Sequence, residues 1–223
     1  MAKDKKKKKK RLKEQSFALK RYEEYFALKR YEEALQIAEQ LGDLKRKANC
    51  LNKIGKIYHN QSNYPEALKR YEEALQVTEQ LGDLSGKATS LYNIGVTHHV
   101  QHDHPKALKR YEEVLQIAEQ LGDLKGKATY LNNIGVTHYV QHDHPKALKR
   151  YEEALQRAEQ LGDLRVKATS LSNIGLVYLT QNNNQIALKY YEESLGILKR
   201  LGLSESPYAQ RIKKFILILK KDI

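Results

Sequence analysis

The chain of 223 residues has one cysteine, one methionine, four prolines and no tryptophan. It also lacks any apolar run approaching the roughly eighteen residues that a membrane-crossing helix needs. The lone Cys50 excludes a disulfide within the chain, and no His or Asp is fixed beside it by the surrounding pattern. It therefore reads as a packing residue rather than a reactive thiol. Nowhere do apolar and polar residues alternate between turn signals, so no strand is predicted. With no apolar leader of the secretory kind, the expectation is a cytoplasmic protein without a membrane span.

What the chain does have is a period. The block Ala-Leu-Lys-x-Tyr-Glu-Glu begins at Ala27, Ala67, Ala107, Ala147 and Ala187, and Ile-Gly falls at 54–55, 94–95, 134–135 and 174–175. The offset is forty residues each time, with nothing inserted or lost. A strict period in this range signals stacked supersecondary units rather than one closed globule. Within a unit, Leu84, Ala88, Leu91, Ile94, Gly95 and His98 share one helical stripe, helix A. A second stripe, helix B, runs through Ala107, Leu108, Tyr111, Val114, Leu115, Ala118 and Leu121. Asp103 and Pro105 suit the start of helix B, Gly122 its left-handed stop, and Asp123 the cap of the next helix A.

Abundant Glu and His residues belong to this repeat, so no unique constellation points to catalysis and no catalytic residue is expected. His98, His99, His102 and His104, echoed by His138, His142 and His144, raise a metal reading. Register accounts for them more simply. His98 and His138 take the slot of Tyr58 and Tyr178, His104 and His144 replace Tyr64, and His102 and His142 sit where a turn needs a left-handed backbone. Neither a metal nor a cofactor is expected.

The spacing Leu91-x2-Ile94-Gly95-x2-His98, then Ala107-x3-Tyr111, resembles the tetratricopeptide repeat. The match covers about 27–205, with Leu at the first aromatic position, a period of forty instead of thirty-four, and Leu-Gly-Asp where a proline usually ends helix B. The resemblance implies an all-α, right-handed superhelical solenoid of antiparallel helix pairs, with helix A lining a concave groove. It implies a non-enzymatic protein-interaction scaffold that binds a peptide or helical segment of a partner protein there. The groove-facing residues are then Lys53, Lys56, Tyr92, Asn93, Val96, Val100, Asn132, Asn133, Val136, Tyr139, Val140, Asn173 and Leu176. Asn93, Asn133 and Asn173 form a row of amides suited to the N–H and C=O groups of an extended peptide, with Lys53 at its head. The valines, tyrosines and Leu176 add an apolar strip. The alternative for the Asn row is that it satisfies neighbouring helices or water.

The formal net charge of +13 is uneven: nine basic residues against Asp4 lie within residues 1–13. Such a segment repels itself and has almost nothing to bury, so 1–16 is predicted to be a disordered lysine-rich tail. It is either a solubiliser or, through Lys5 to Arg11, an attractor of nucleic acid or an anionic surface. Phe17–Glu24 is repeated at once as Phe26–Glu33, and nine residues turn a helix by about 900°, so the two copies face opposite ways. The forty-residue register gives the packed face to Ala27, Leu28 and Tyr31. Segment 17–41 is thus a lone helix B, with Phe17, Leu19 and Tyr22 exposed or folded back, either a weakly held cap or a self-association patch. Four helix pairs occupy 42–203. The amphipathic stretch 204–223, started by Ser206-Pro207, reads as a C-terminal cap, with a membrane-surface helix as the alternative.

Overall fold

A computed structural model describes the backbone of residues 2–221 and the side chains of Leu19 and of 21–221. What is expected of the side chains of Lys5 to Arg11 and of Phe17 lies outside those residues. Among the described residues there are ten helices and no strand. They are α1 (Ala2–Gln40), α2 (Leu44–Asn60), α3 (Tyr64–Leu81), α4 (Leu84–Val100), α5 (His104–Leu121), α6 (Leu124–Val140), α7 (His144–Leu161), α8 (Leu164–Thr180), α9 (Asn184–Arg200) and α10 (Pro207–Leu219). Helices α2, α4, α6 and α8 are the four A helices; α3, α5, α7 and α9 are the B helices. The helices group into two compact units, one up to Thr97 and one from His98 onward.

The punctuation between helices works as the sequence predicts. The Asp103 carboxylate accepts from the Lys106 N–H at 3.3 Å, and Pro105 occupies the first turn of α5, where no N–H is required. Gly122 stops α5 at φ 65°, and its N–H bonds the carbonyls of Ala118 and Glu119. Asp123 then accepts from the Gly126 N–H at 2.9 Å and opens α6. Each A-to-B turn also uses a left-handed residue, but without glycine: Ser62, His102, His142 and Asn182 have φ between 57° and 62°.

In the first unit, Ala67, Tyr71 and Ile94 form a buried cluster, flanked by Tyr58, Leu68 and Leu75. In the second, Ala147, Tyr151, Ile174 and Val177 do the same in the same register. The tyrosines explain the glycine of the Ile-Gly pair at 55 and 135. A Cβ on Gly55 would lie 2.6 Å from the Tyr71 ring, and one on Gly135 the same distance from Tyr151. Burying each tyrosine removes on the order of 200 Å² from water, so one ring per repeat seated on a bare helix backbone carries much of the hairpin's stability. The outer ends of the predicted stripes are looser, since Leu84 and Leu121 are exposed.

Helix α1 packs on α2 through the face that the register selects. Ala27, Leu28 and Tyr31 are half-buried and Ala38 is buried, while Leu19 and Tyr22 are exposed. The duplicated nonapeptide therefore lies on one unbroken helix and does not fold back. That helix extends through the lysine run to Ala2, where composition predicts no fixed structure. Lysine is a good helix former once a helix is nucleated, so the extension needs no buried stripe. At the other end α10 begins with Ser206, whose hydroxyl accepts from the Ala209 N–H at 3.2 Å. It buries Ala209, Ile212 and Leu219, and Phe215 stacks on Tyr191 at 5.3 Å.

Candidate functional site

The face of α2 and α4 in the first unit holds a cavity of about 670 Å³. Lys53, Lys56 and Asn93 line it together with Lys45, Arg46, Asn49, Asn52 and Thr89. Four basic side chains thus meet only two carboxylates, Asp43 and Asp83. Asp43 is occupied as the α2 cap and by Arg46 at 3.6 Å, and Asp83 accepts from the Gly86 N–H. Lys53 and Lys56 are exposed and have no carboxylate partner among the described residues. A partly enclosed surface with surplus positive charge and several amides favours an anion or an acidic peptide over an apolar ligand.

The asparagines behave differently from the ladder that sequence suggests. Asn132, predicted to line the groove, is buried at 6% exposure. Its amide donates to the Ala128 carbonyl at 3.3 Å and to the Ser170 hydroxyl at 2.9 Å, joining α6 to α8. Asn52 does the same in the first unit, donating to Ala48 and to Ser90 at 3.0 Å. The half-buried Asn93 then donates to the Asn52 carbonyl oxygen at 3.3 Å, and Asn173 to that of Asn132 at 3.4 Å. Two of the three row asparagines are therefore already braced. Each retains one N–H and its carbonyl oxygen for a ligand. Sequence reasoning missed Asn52–Ser90 and Asn132–Ser170, though a signal existed: both pairs combine polar residues at positions that helical register makes buried.

The apolar strip is thinner than expected. Val136 and Tyr139 pack against the Tyr151 cluster, and the Tyr139 ring lies 5.4 Å from His144. Tyr92, Val96 and Leu176 are half-buried. Val100 and Val140, at the C-terminal ends of their helices, are the exposed members.

Histidines fill structural places. The Thr97 hydroxyl donates to the Asn93 carbonyl, so the contact of 3.1 Å from His59 Nδ1 to Thr97 Oγ1 requires the imidazole to donate. Thr137 and His99 repeat the arrangement at 3.1 Å. Burial pushes the His99 pKa down, assisted by His104 and His102; burial and then Lys56 do the same for His59. No cluster of three metal-ligating side chains occurs among the described residues. Cys50 is buried, and burial pushes its thiol up, away from the reactive thiolate.

With hairpins, glycine seats and capped turns in place, the family is decided by a tetratricopeptide-repeat model that matches residues 11–80, 47–120, 86–160 and 126–200. The chain belongs to the tetratricopeptide repeat family. Solved structures with similar folds include BtubC from P. vanneervenii, at TM-score 0.76 and 18% identity over 89% of this chain and 83% of that one. The apo form of RapI aligns at TM-score 0.77 and 18% identity, covering 89% and 72%. A Rap protein complexed with Competence and Sporulation Factor aligns at 0.64 and 16%, covering 89% of this chain and 59% of that one. At such identities the likeness is one of fold. Comparison with curated proteins gives no match. Like other tetratricopeptide repeat chains, this one is a protein-interaction scaffold in general design, and no helix among its described residues is long and apolar enough to cross a membrane.

Proposed function

We propose that this tetratricopeptide repeat protein is a non-catalytic adaptor whose A-helix surfaces hold an acidic segment of a partner protein. The observation that carries the reading is the cavity on α2 and α4, where Lys53 and Lys56 stand exposed without a carboxylate partner beside Asn49 and Asn93. An extended acidic segment matches it: carboxylates meet the lysines, and main-chain groups meet the Asn49 amide and the N–H and carbonyl oxygen that Asn93 retains. A Rap protein of similar fold has been crystallised in complex with Competence and Sporulation Factor, so a chain of this architecture can hold a partner. A cytoplasmic setting belongs to this reading, consistent with a lone buried cysteine.

The test is binding of an acidic peptide library to the intact chain, read by fluorescence anisotropy. Lys53→Glu with Lys56→Glu should weaken the best peptides by about 100-fold, roughly 1.4 kcal/mol per charge reversed. Deleting residues 1–13 should leave affinity unchanged. Loss of binding on that deletion alone, with a steep salt dependence and transfer to nucleic acid, would instead assign recognition to the lysine run.

A further inference from the structure

The apolar surface of α1 has no role in the cavity just described, and it is unusual for a helix end. Leu19, Tyr22, Tyr25 and Phe26 are 61%, 65%, 59% and 64% exposed within two turns. Tyr25 turns toward Asn60, Gln61 and Ser62, and the remaining two aromatics and a leucine present roughly 300 Å² of apolar surface on one side, a size of patch that on a monomer is often functional. Helical register places Leu19, Tyr22 and Phe26 on the side away from Leu28 and Tyr31, which face α2, with the half-buried Ala27 at the edge between the two sides.

Two features of that outer side indicate what covers it. The first is shape: a depression of about 580 Å³ is lined by Glu23, Phe26, Ala27, Lys29, Arg30 and Glu33. Residues 23, 26, 27 and 30 have the spacing i, i+3, i+4, i+7 that forms the hole receiving a side chain from a facing helix. The second is charge. In the following repeats the corresponding arginine closes onto its own helix, with Arg70–Glu73 at 3.2 Å, Arg110–Glu113 at 3.0 Å and Arg150–Glu153 at 3.0 Å. Arg30 and Glu33 form no such pair, and the Arg30 guanidinium lies instead over its neighbour Tyr31 at 5.4 Å. Glu23 and Arg30 therefore stand on one flank of Phe26, two turns apart, with opposite charge and no ion-pair partner among the described residues.

We propose that α1 pairs antiparallel with α1 of a second copy of this chain, about a two-fold axis passing beside Phe26. That symmetry sets the two Phe26 rings against each other and brings Glu23 of each copy within about one residue's rise, roughly 1.5 Å, of the level of Arg30 of the other, twice by the isologous rule. Tyr22 then lies beside Lys29, where a ring face and an ammonium attract. A parallel pair would align identical charges at each level and gain none of this. With the flanking Glu23, Lys29, Arg30 and Glu33 included, both copies together bury about 1,000 Å², the lower bound for a specific interface, so a micromolar dimer is expected rather than an obligate one.

Sedimentation velocity of the full chain over a concentration series tests the proposal. A monomer–dimer equilibrium is expected, and Phe26→Asp should raise the dissociation constant about 100-fold. Because Phe26 is exposed, that variant should keep its helical circular dichroism and melting temperature. Glu23→Arg and Arg30→Glu should each weaken the dimer about tenfold, and the double reversal should restore it. A chain that stays monomeric at every concentration, or a dimer indifferent to Phe26→Asp, overturns the proposal. A double reversal no better than the singles overturns the antiparallel register.

Discussion

Replacing Gly135 and Gly175 by alanine, one at a time, should have opposite consequences although both glycines occupy the same place in the repeat. On Gly135 the new Cβ would sit 2.6 Å and 2.7 Å from two carbons of the Tyr151 ring. That is about 1 Å inside comfortable carbon–carbon contact. The ring has nowhere to go: Tyr151 is 1% exposed, and the neighbouring Ala147 and Ala154 are fully buried. Overpacking of this kind typically destabilises by about 1–3 kcal/mol, against about 1 kcal/mol gained when alanine replaces glycine inside a helix. The net expectation is a loss of roughly 1 kcal/mol. On Gly175 the nearest atoms, the Ala187 carbonyl oxygen, Tyr190 Cβ and Tyr191 Cδ1, are all at 3.3 Å. A shift of a few tenths of an ångström admits the methyl group, so the propensity gain dominates and stability rises slightly. The two variants should differ by about 2 kcal/mol, or roughly 4–8 °C in a chain of this size. Thermal melts followed by far-UV circular dichroism give the difference, and hydrogen exchange localises it, since a repeat array does not unfold as one body. Equal shifts, or a Gly135→Ala chain more stable than the parent, would refute the claim that the tyrosine seat makes glycine obligatory at 135.

Two further outcomes follow from buried polar groups. Asn132→Ala removes the donor to Ser170 and the acceptor used by Asn173, and should destabilise by about 1–2 kcal/mol in urea titration, more than Thr129→Ala at a half-buried position without such a cross-helix bond. The pH dependence has a definite sign: His59, His99 and His138 have folded pKa values lowered from 6.5, chiefly by burial. Their stabilising contribution is complete above pH 6.5 and declines as pH falls below it toward the folded values, because the unfolded chain takes up protons first. Melting temperatures should thus fall on acidification below pH 6.5, and His99→Gln should flatten part of that fall.

Most of the architecture was legible because the repeat states it five times over. Ala107, Tyr111 and Ile134 are recognisable as core from spacing alone, and Asp103, Pro105 and Gly122 mark helix ends through chemistry that acts within three or four residues. The site was only partly legible. Lys53, Lys56 and Asn93 could be brought together because an A helix repeats its outward face. Asn132 was misplaced because register fixes a residue's angle to within tens of degrees, and at the edge of a buried stripe that margin separates the groove from the core. The bracing of Asn93 by Asn52 depends on two side chains 41 positions apart, which no local pattern reveals. A salt bridge that recurs between the end of each B helix and the next A helix was also missed, as in Lys47–Glu39 at 2.8 Å and Lys127–Glu119 at 2.6 Å. Its spacing of eight spans a turn and so escapes any search confined to one helix.

The two left-handed joints of every hairpin, one on glycine and one on Ser, His or Asn, return the backbone to nearly the same torsion angles at each recurrence. A gene that gained or shed one whole unit would therefore present the surviving joints with the partners they already had. Length is then open to inheritance by duplication without any new folding problem to solve, whereas a deletion of even a single codon inside a unit would throw one tyrosine off its glycine.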